Sequence, residues 1–241
     1  MKTRLLLTSL AAMLTAATDA VAQQYEETPT INPTATYTTE DGEEESENYS
    51  GNAPLTGRFQ ANPENVGAYT ASYEWRFTME GETEPYLTRY EENTEYTFTQ
   101  AGTHNIVLYA TFVNAGDTIA YTQQYWDERG PLSVTVSESR LEMPNAFSPN
   151  GDGINDIYQA KTNYQSIIEF HAYIFNRWGQ KLYEWNDLAG GWDGKYNGKD
   201  VAQGVYFVLV KAKGADGKEY NIKRDVNLLR GYTESTGSVT E

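Results

Sequence analysis

The sequence predicts an all-β protein: two strand sandwiches in tandem, behind a cleavable leader and an acidic linker. Three observations carry this reading. From Ala53 onward, short runs rich in Val, Ile, Tyr, Phe and Thr are separated by Gly, Asn, Pro and Asp, and no long segment keeps a helical period. A chain of 241 residues, 39% hydrophobic and 13% aromatic, has apolar matter enough for real cores. Charge is also unevenly spread: residues 23–52 hold eight acids and no base, 53–139 hold twelve acids and four bases, and 140–241 hold thirteen acids and twelve bases.

The first element is the leader, residues 1–22. Lys2 and Arg4 precede an apolar run from Leu5 to about Ala17, and Ala20-Val21-Ala22 supplies small residues before Gln23. That is the pattern of a secretory signal peptide, and the run is shorter than the roughly 20 residues a membrane span needs. No later segment is long and apolar enough to span, so direct membrane insertion is not expected. Exported chains often carry disulfides, yet there is no cysteine. This removes disulfide staples, thiol catalysis, thiolate metal sites and a lipid-modified cysteine, leaving packed cores to supply stability. The formal charge of −16 argues against nucleic acid and anionic lipid as partners.

Residues 23–52 are rich in Thr, Glu and Pro without a periodic apolar face and read as a disordered, solvated, self-repelling linker. Residues 53–139 form the first block, with strands expected at 55–61, 71–77, 95–99, 104–113, 118–125 and 132–137. In "THNIVLYATFV" one face carries His104, Ile106, Leu108, Ala110 and Phe112 and the other Asn105, Val107, Tyr109 and Thr111, the alternation of a half-buried strand. "APLTGRFQA", "YEWRF", "EYTFTQAGTHNIVLYATF" and "LSVTVSES" together resemble the PKD family of immunoglobulin-like β-sandwiches. The resemblance implies that Trp75 packs in the core and that Gly102 opens the turn into the longest strand. It departs from the family at His104, where an aromatic is usual.

The second block, 140–230, is expected to hold strands at 157–160, 167–176, 181–185, 205–213 and 218–229. "FNRWGQKLYEW" sets a Gly-containing turn between two apolar alternations, and Asp216-Gly217 marks a hairpin turn needing positive φ, so a strand-rich sandwich of about ninety residues follows. Residues 231–241 read as a flexible tail.

"SPNGDGINDIY" offers oxygens from Asn150, Asp152, Asn155 and Asp156 around two glycines, and Ca²⁺ is the ion such a loop could hold. Against an EF-hand pattern, however, Ser148 stands at position 1 and Gln159 at position 12, where carboxylates belong. The competing reading is a sharp turn, in which Asn and Asp side chains bond nearby backbone N–H groups while Gly151 and Gly153 adopt conformations other residues resist. The turn is preferred, and no other cofactor is expected. A catalytic pair of Asp152 and Asp156 lacks a base, nucleophile or oxyanion hole nearby, and no enzyme is expected.

"MPNAFSPNGDGINDIY", "IFNRWGQKLYEW", "GWDGKYNGKDVAQGVYFVLV" and a last strand ending in Arg230 closely resemble the type B, gliding-motility-associated C-terminal sorting domain of the Bacteroidetes type IX secretion system. The resemblance assigns the sorting signal to its motif residues. In the first motif these are Pro144, Asn145, Phe147, Ser148, Pro149, Asn150, Gly151, Asp152, Gly153, Asn155 and Asp156. Asn176, Arg177, Trp178 and Gly179 follow in the second, and Trp192, Asp193, Gly194, Gly204 and Tyr206 in the third. It implies passage through the type IX translocon, retention on a PorP/SprF-type outer-membrane barrel, and a location at the outer membrane or cell surface. Adhesins delivered this way carry many modules, because reach and multivalency come from repetition. A single sandwich favours a small accessory part of the secretion or gliding machinery over an adhesin or carbohydrate-binding protein.

Trp178, Trp185 and Trp192 are expected to pin turns and fill core rather than form a sugar platform. His171 is expected on an outer strand face, without partners for zinc. Asp117-Thr118-Ile119 looks like the acceptor used for periplasmic O-glycosylation in this bacterial group, making Thr118 a candidate on an exposed loop.

Overall fold

The computed structural model of the chain describes residues 28–39 and 42–231. The expected leader, residues 1–22, and all but Gly231 of the expected tail lie outside them. The first unit contains β1 (Thr34–Thr39), β2 (Gly42–Glu45), β3 (Asn48–Gly51), β4 (Leu55–Gln60), β5 (Thr70–Met79), β6 (Leu87–Arg89), β7 (Asn93–Phe98), β8 (Gly102–Asn114), β9 (Asp117–Tyr121), α1 (Gln123–Arg129) and β10 (Leu132–Val136). The second contains β11 (Ala146–Phe147), β12 (Ile167–Phe175), β13 (Lys181–Trp185), β14 (Lys195–Tyr196), β15 (Lys199–Asp200), β16 (Gly204–Gly214) and β17 (Glu219–Leu228). Among the described residues the regular structure is nearly all strand, and no described helix is long and apolar enough to cross a membrane.

In the first unit a sheet of order β2-β1-β4-β7 packs against one of order β3-β10-β8-β5-β6. The alternation read in β8 holds: His104, Ile106, Leu108, Ala110 and Phe112 are all buried. Its thirteen residues serve two neighbours on one edge, β10 along Gly102–Ile106 and β9 along Ala110–Asn114. Phe59 of one sheet meets Trp75 at 5.9 Å and Phe77 at 5.3 Å from the other, which closes the sandwich. Trp75 is fully buried and its indole N–H donates to the Glu92 carbonyl.

Two expectations for this unit need correction. Residues 28–39 and 42–51, expected as disordered linker, build the sandwich. β1 lies between β2 and β4, with Ala35 and Tyr37 buried in the core while threonines alternate with them. Three of the eight acids that suggested self-repulsion, Glu43, Glu44 and Glu45, fall on β2, an exposed edge strand where charge protects against edge-to-edge pairing. There Arg58 pairs with both Glu43 and Glu95. Second, the strand expected to run to residue 125 ends at Tyr121. Gln123–Arg129 is instead a helix, started at Thr122, stopped at Gly130, and anchored by the buried Trp126, whose N–H donates to the Leu108 carbonyl. His104, on the inward face as the alternation predicts, packs among rings, 4.9 Å from Phe98 and 5.6 Å from Tyr86. Nε2 donates to the Gln100 carbonyl, so Nδ1 accepts from the Tyr86 hydroxyl, and burial pushes the imidazole pKa down.

The second unit is one five-stranded sheet of order β11-β17-β16-β12-β13, plus the small β14–β15 ladder. Ala172, Ile174, Tyr206, Val208, Val210, Val226 and Leu228 line its inner face. They are covered by Leu141, Met143, Phe147, Tyr158, Ala160 and Trp192, most of them in irregular chain. The strand expected at 157–160 shrinks to a single bridge, Tyr158 to Trp192, since a layer held by two large rings needs no ladder. In the hairpin joining β16 to β17 only Gly217 takes positive φ (79°), and the turn spans Gly214 to Lys218.

Candidate functional site

The register of the second unit gives its sheet two distinct ends. At one end Ile167 of β12 faces Gly214 of β16, and β17 starts at Glu219. At the other, Phe175 faces Phe207, Gly204 faces Leu228, and Phe147 lies beside Leu228. The motifs of residues 144–156, 176–179 and 192–206 gather at this second end.

The loop after β11 is built on Asp156. Its Oδ1 accepts the N–H groups of Asn150 (2.9 Å) and Gly151 (2.7 Å), and its Oδ2 that of Gly153 (2.8 Å). Those N–H groups, Gly151 and Gly153 first, hold the Asp156 carboxyl below its ordinary value of 3.8. Asn150 Oδ1 accepts from Asp152 N, Asp152 Oδ1 accepts from Ile154 N, and Asn150 Nδ2 donates to Asp152 Oδ2. Gly151 (φ 85°), Gly153 (φ 84°) and Asn155 (φ 52°) supply the left-handed turns. Ser148, itself buried, bonds through its N–H to the Asn155 carbonyl. The four candidate calcium residues thus lie in one loop, but the Asp156 carboxylate oxygens face N–H donors. Among the described residues no three of His, Cys, Asp or Glu are grouped to hold a metal. This geometry is that of a side-chain-capped turn.

Arg230, which follows β17, ties the motifs together. Its guanidinium donates to the carbonyls of Pro149 (3.0 Å), Gly194 (2.7 Å) and Val201 (3.2 Å), and lies 3.4 Å from Asp200. The first motif, the third motif and the last strand thereby share one side chain, which supplies its donors in a fixed planar fork. Arg224 does the same at smaller scale, donating to the Met143 carbonyl. Neither arginine was singled out as a site residue. A cation just past the last apolar alternation was the available signal for Arg230.

Trp192 is wholly buried between Phe147 (5.4 Å) and Tyr206 (5.2 Å), and its indole N–H donates to the Lys195 carbonyl. Asp193 Oδ1 accepts from Lys195 N, Gly194 turns with φ 76°, and the Tyr206 hydroxyl donates to the Ala202 carbonyl. Asn145 and Phe147 flank the parallel pairing with β17, and the Pro144 carbonyl accepts from the Tyr158 hydroxyl. These residues shape the end of the sheet from within.

The second motif faces outward. Asn176 Oδ1 accepts from the N–H groups of Trp178 and Gln180, and Gly179 turns with φ 81°. Trp185 is buried, as expected of core, but Trp178 is 76% exposed, with the Arg177 guanidinium 4.3 Å over its ring. Trp178, Val205 and Phe207 line one groove, and the last two are also exposed. Of the three tryptophans expected to pin turns and fill core, Trp178 sits in a turn but fills no core. His171 does lie on the outer face, stacked on Tyr173 at 4.4 Å and near Glu184. Thr118 is exposed, but on β9 beside the β8–β9 turn rather than in a loop.

No curated protein matches the chain. Among solved structures it is similar to dimeric latent PorU from Porphyromonas gingivalis, at 10% identity and TM-score 0.26, over 84% of this chain and 20% of that one. It is also similar to the FN1–FN3 domains of chicken CNTN1, at 10% identity and TM-score 0.25, over 75% of this chain and 65% of that one. The chain thus spans a fifth of the first and under two thirds of the second, and likeness of this size carries no inference about function. Residues 141–224 match the family model of the CHU_C Type IX secretion signal domain, so the unit on which the motifs converge is similar to a type IX sorting signal.

Proposed function

We propose that this chain is a non-catalytic protein delivered by the type IX secretion system and retained at the outer membrane by its second unit, of type B, docked on a PorP/SprF-type barrel. Its role is that of a small accessory part of the secretion or gliding machinery. The observation that carries the reading is the match of residues 141–224 to a type IX secretion signal domain. The geometry supports it: one end of the sheet holds the motifs rigidly through Arg230, Trp192 and Asp156, and presents Trp178, Val205 and Phe207 outward. Rigid aromatic side chains with a neighbouring guanidinium are what protein interfaces use as anchors.

The first unit is read as PKD-like, on the buried Trp75 and on Gly102 (φ 119°) opening β8. It serves as a spacer. The Asx loop is read as structural rather than as a calcium site, and Thr118 is open to an O-linked sugar.

The experiment is affinity capture of the tagged chain from outer membranes of a bacterium with a type IX system. The reading expects a PorP/SprF-type barrel in stoichiometric amount and its loss in a Trp178→Ala/Phe207→Ala chain. Capture without a barrel, together with glycan binding by the first unit, would replace this reading with a surface adhesin.

A further inference from the structure

The two units are not joined as beads on a string. Val136 ends β10, Arg140 already pairs with Gln165 of the second unit, and the seam-side end of the β12–β16–β17 sheet rests on the first sandwich. Ser166, buried with φ 45°, lies at the centre of the contact. Its Oγ accepts from the Ala53 N–H at 3.1 Å. The Ser137 hydroxyl donates to Asn52 Oδ1 at 2.6 Å, which leaves the Ser166 hydroxyl to donate to Ser137 Oγ at 2.7 Å. The direction of every bond in this chain is fixed, and removal of either serine leaves a buried polar group unpaired.

Apolar contact follows the same line. The pairing of β12 with β16 slips between Ile167 and Glu169, a bulge that takes Ile168 out of its own sheet and packs it on the first unit's core. Ala215, at the tip of the β16–β17 hairpin, is buried in that same core, and its carbonyl accepts from Ala101 N at 3.0 Å. The Ala215 N–H donates back to the Ser166 carbonyl at 2.9 Å, so bulge and hairpin tip lock each other. Gly214 has no room for a side chain: a Cβ there would meet Ser139 Oγ at 2.1 Å. Asp216 accepts from both the Ser139 hydroxyl and N–H.

From this seam we infer a conformational coupling: the bulge at Ser166–Ile168 and the tip at Gly214–Gly217 hold their form only against a folded first sandwich, so the second unit's local stability reports whether the first is folded. The second unit supplies atoms to the first unit's core, and loss of that core strips both devices of their contacts. Because β12, β16 and β17 run unbroken from the seam to the motif end, opening at one end frays the strands that carry the other.

The test is hydrogen–deuterium exchange on the full chain. Phe59→Ala cuts a wholly buried ring in the first core, on β4 opposite Thr94. Coupling predicts that exchange in peptides covering β12 and β16 rises about tenfold or more along with that in β4 and β5. When Ile168→Asp is added, the further effect of Phe59→Ala on β12 and β16 disappears. Faster exchange in β4 and β5 with β12 and β16 unchanged would overturn the coupling. Should Phe59→Ala leave no folded chain, the milder Phe112→Leu is read in the same way. The readout is stability in solution, and neither result depends on whether the second unit directs export.

Discussion

Asp156 and Trp192 do different work with the same consequence, a fixed geometry at one end of the second sheet. Trp192 is fully buried against Phe147 and Tyr206, so Trp192→Ala should cost about 3–5 kcal/mol in urea unfolding. The exposed Trp178, changed to Ala, should stay within about 0.5 kcal/mol of the parent. Equal losses would show that exposure misjudges one of them. Asp156 has its carboxyl pKa depressed by N–H donors, so the unfolded chain binds that proton more readily. Its stabilising contribution is present above the ordinary value of 3.8 and lost as pH falls through the lower folded value. Melting temperatures across this acid range should therefore fall less steeply for Asp156→Asn, which should already melt lower at neutral pH. In the parent chain, Ca²⁺ should leave the melting temperature unmoved, whereas a rise would restore the metal reading.

At the scale of elements, what could be read from the residues was what periodicity and turn chemistry report locally. The inward face of β8, the Asn176–Gly179 turn and the limits of β13 all followed from alternation and Gly placement. β1 did not, although Thr-Ala-Thr-Tyr-Thr alternates cleanly. Across residues 23–52 a polar, acidic composition masks this five-residue pattern, and three of the eight acids sit on the β2 edge. α1 carries its own start and stop signals in Thr122, Gly130 and Pro131, which the β9 alternation running into it obscures. The corrected boundary has a direct test. A chain beginning at residue 53 lacks β1, an interior strand carrying Ala35 and Tyr37 into the core. Circular dichroism and exchange should show its first sandwich unfolded, whereas removal of a mere linker would leave it intact.

Across the whole molecule, the sequence made the two blocks visible but not how they meet. Ser166, Ile168 and Ala215 look unremarkable in the chain. Their roles come from a bulge and a hairpin tip that acquire meaning only when two distant segments pack. The same holds for Arg230, whose three carbonyl partners come from loops up to 81 residues away. Seen entire, the second unit has a seam end fixed to the first sandwich and a motif end turned outward. That polarity suits a module that must be read while attached to what it accompanies.

The central claim is that the second unit carries the information for export. The most direct measurement compares where two chains accumulate in a bacterium with a functioning type IX system: the intact chain and one ending at residue 140. The account predicts the intact chain at the cell surface or outside and the shortened chain held in the periplasm. A shortened chain reaching the outside at the level of the intact one would contradict it.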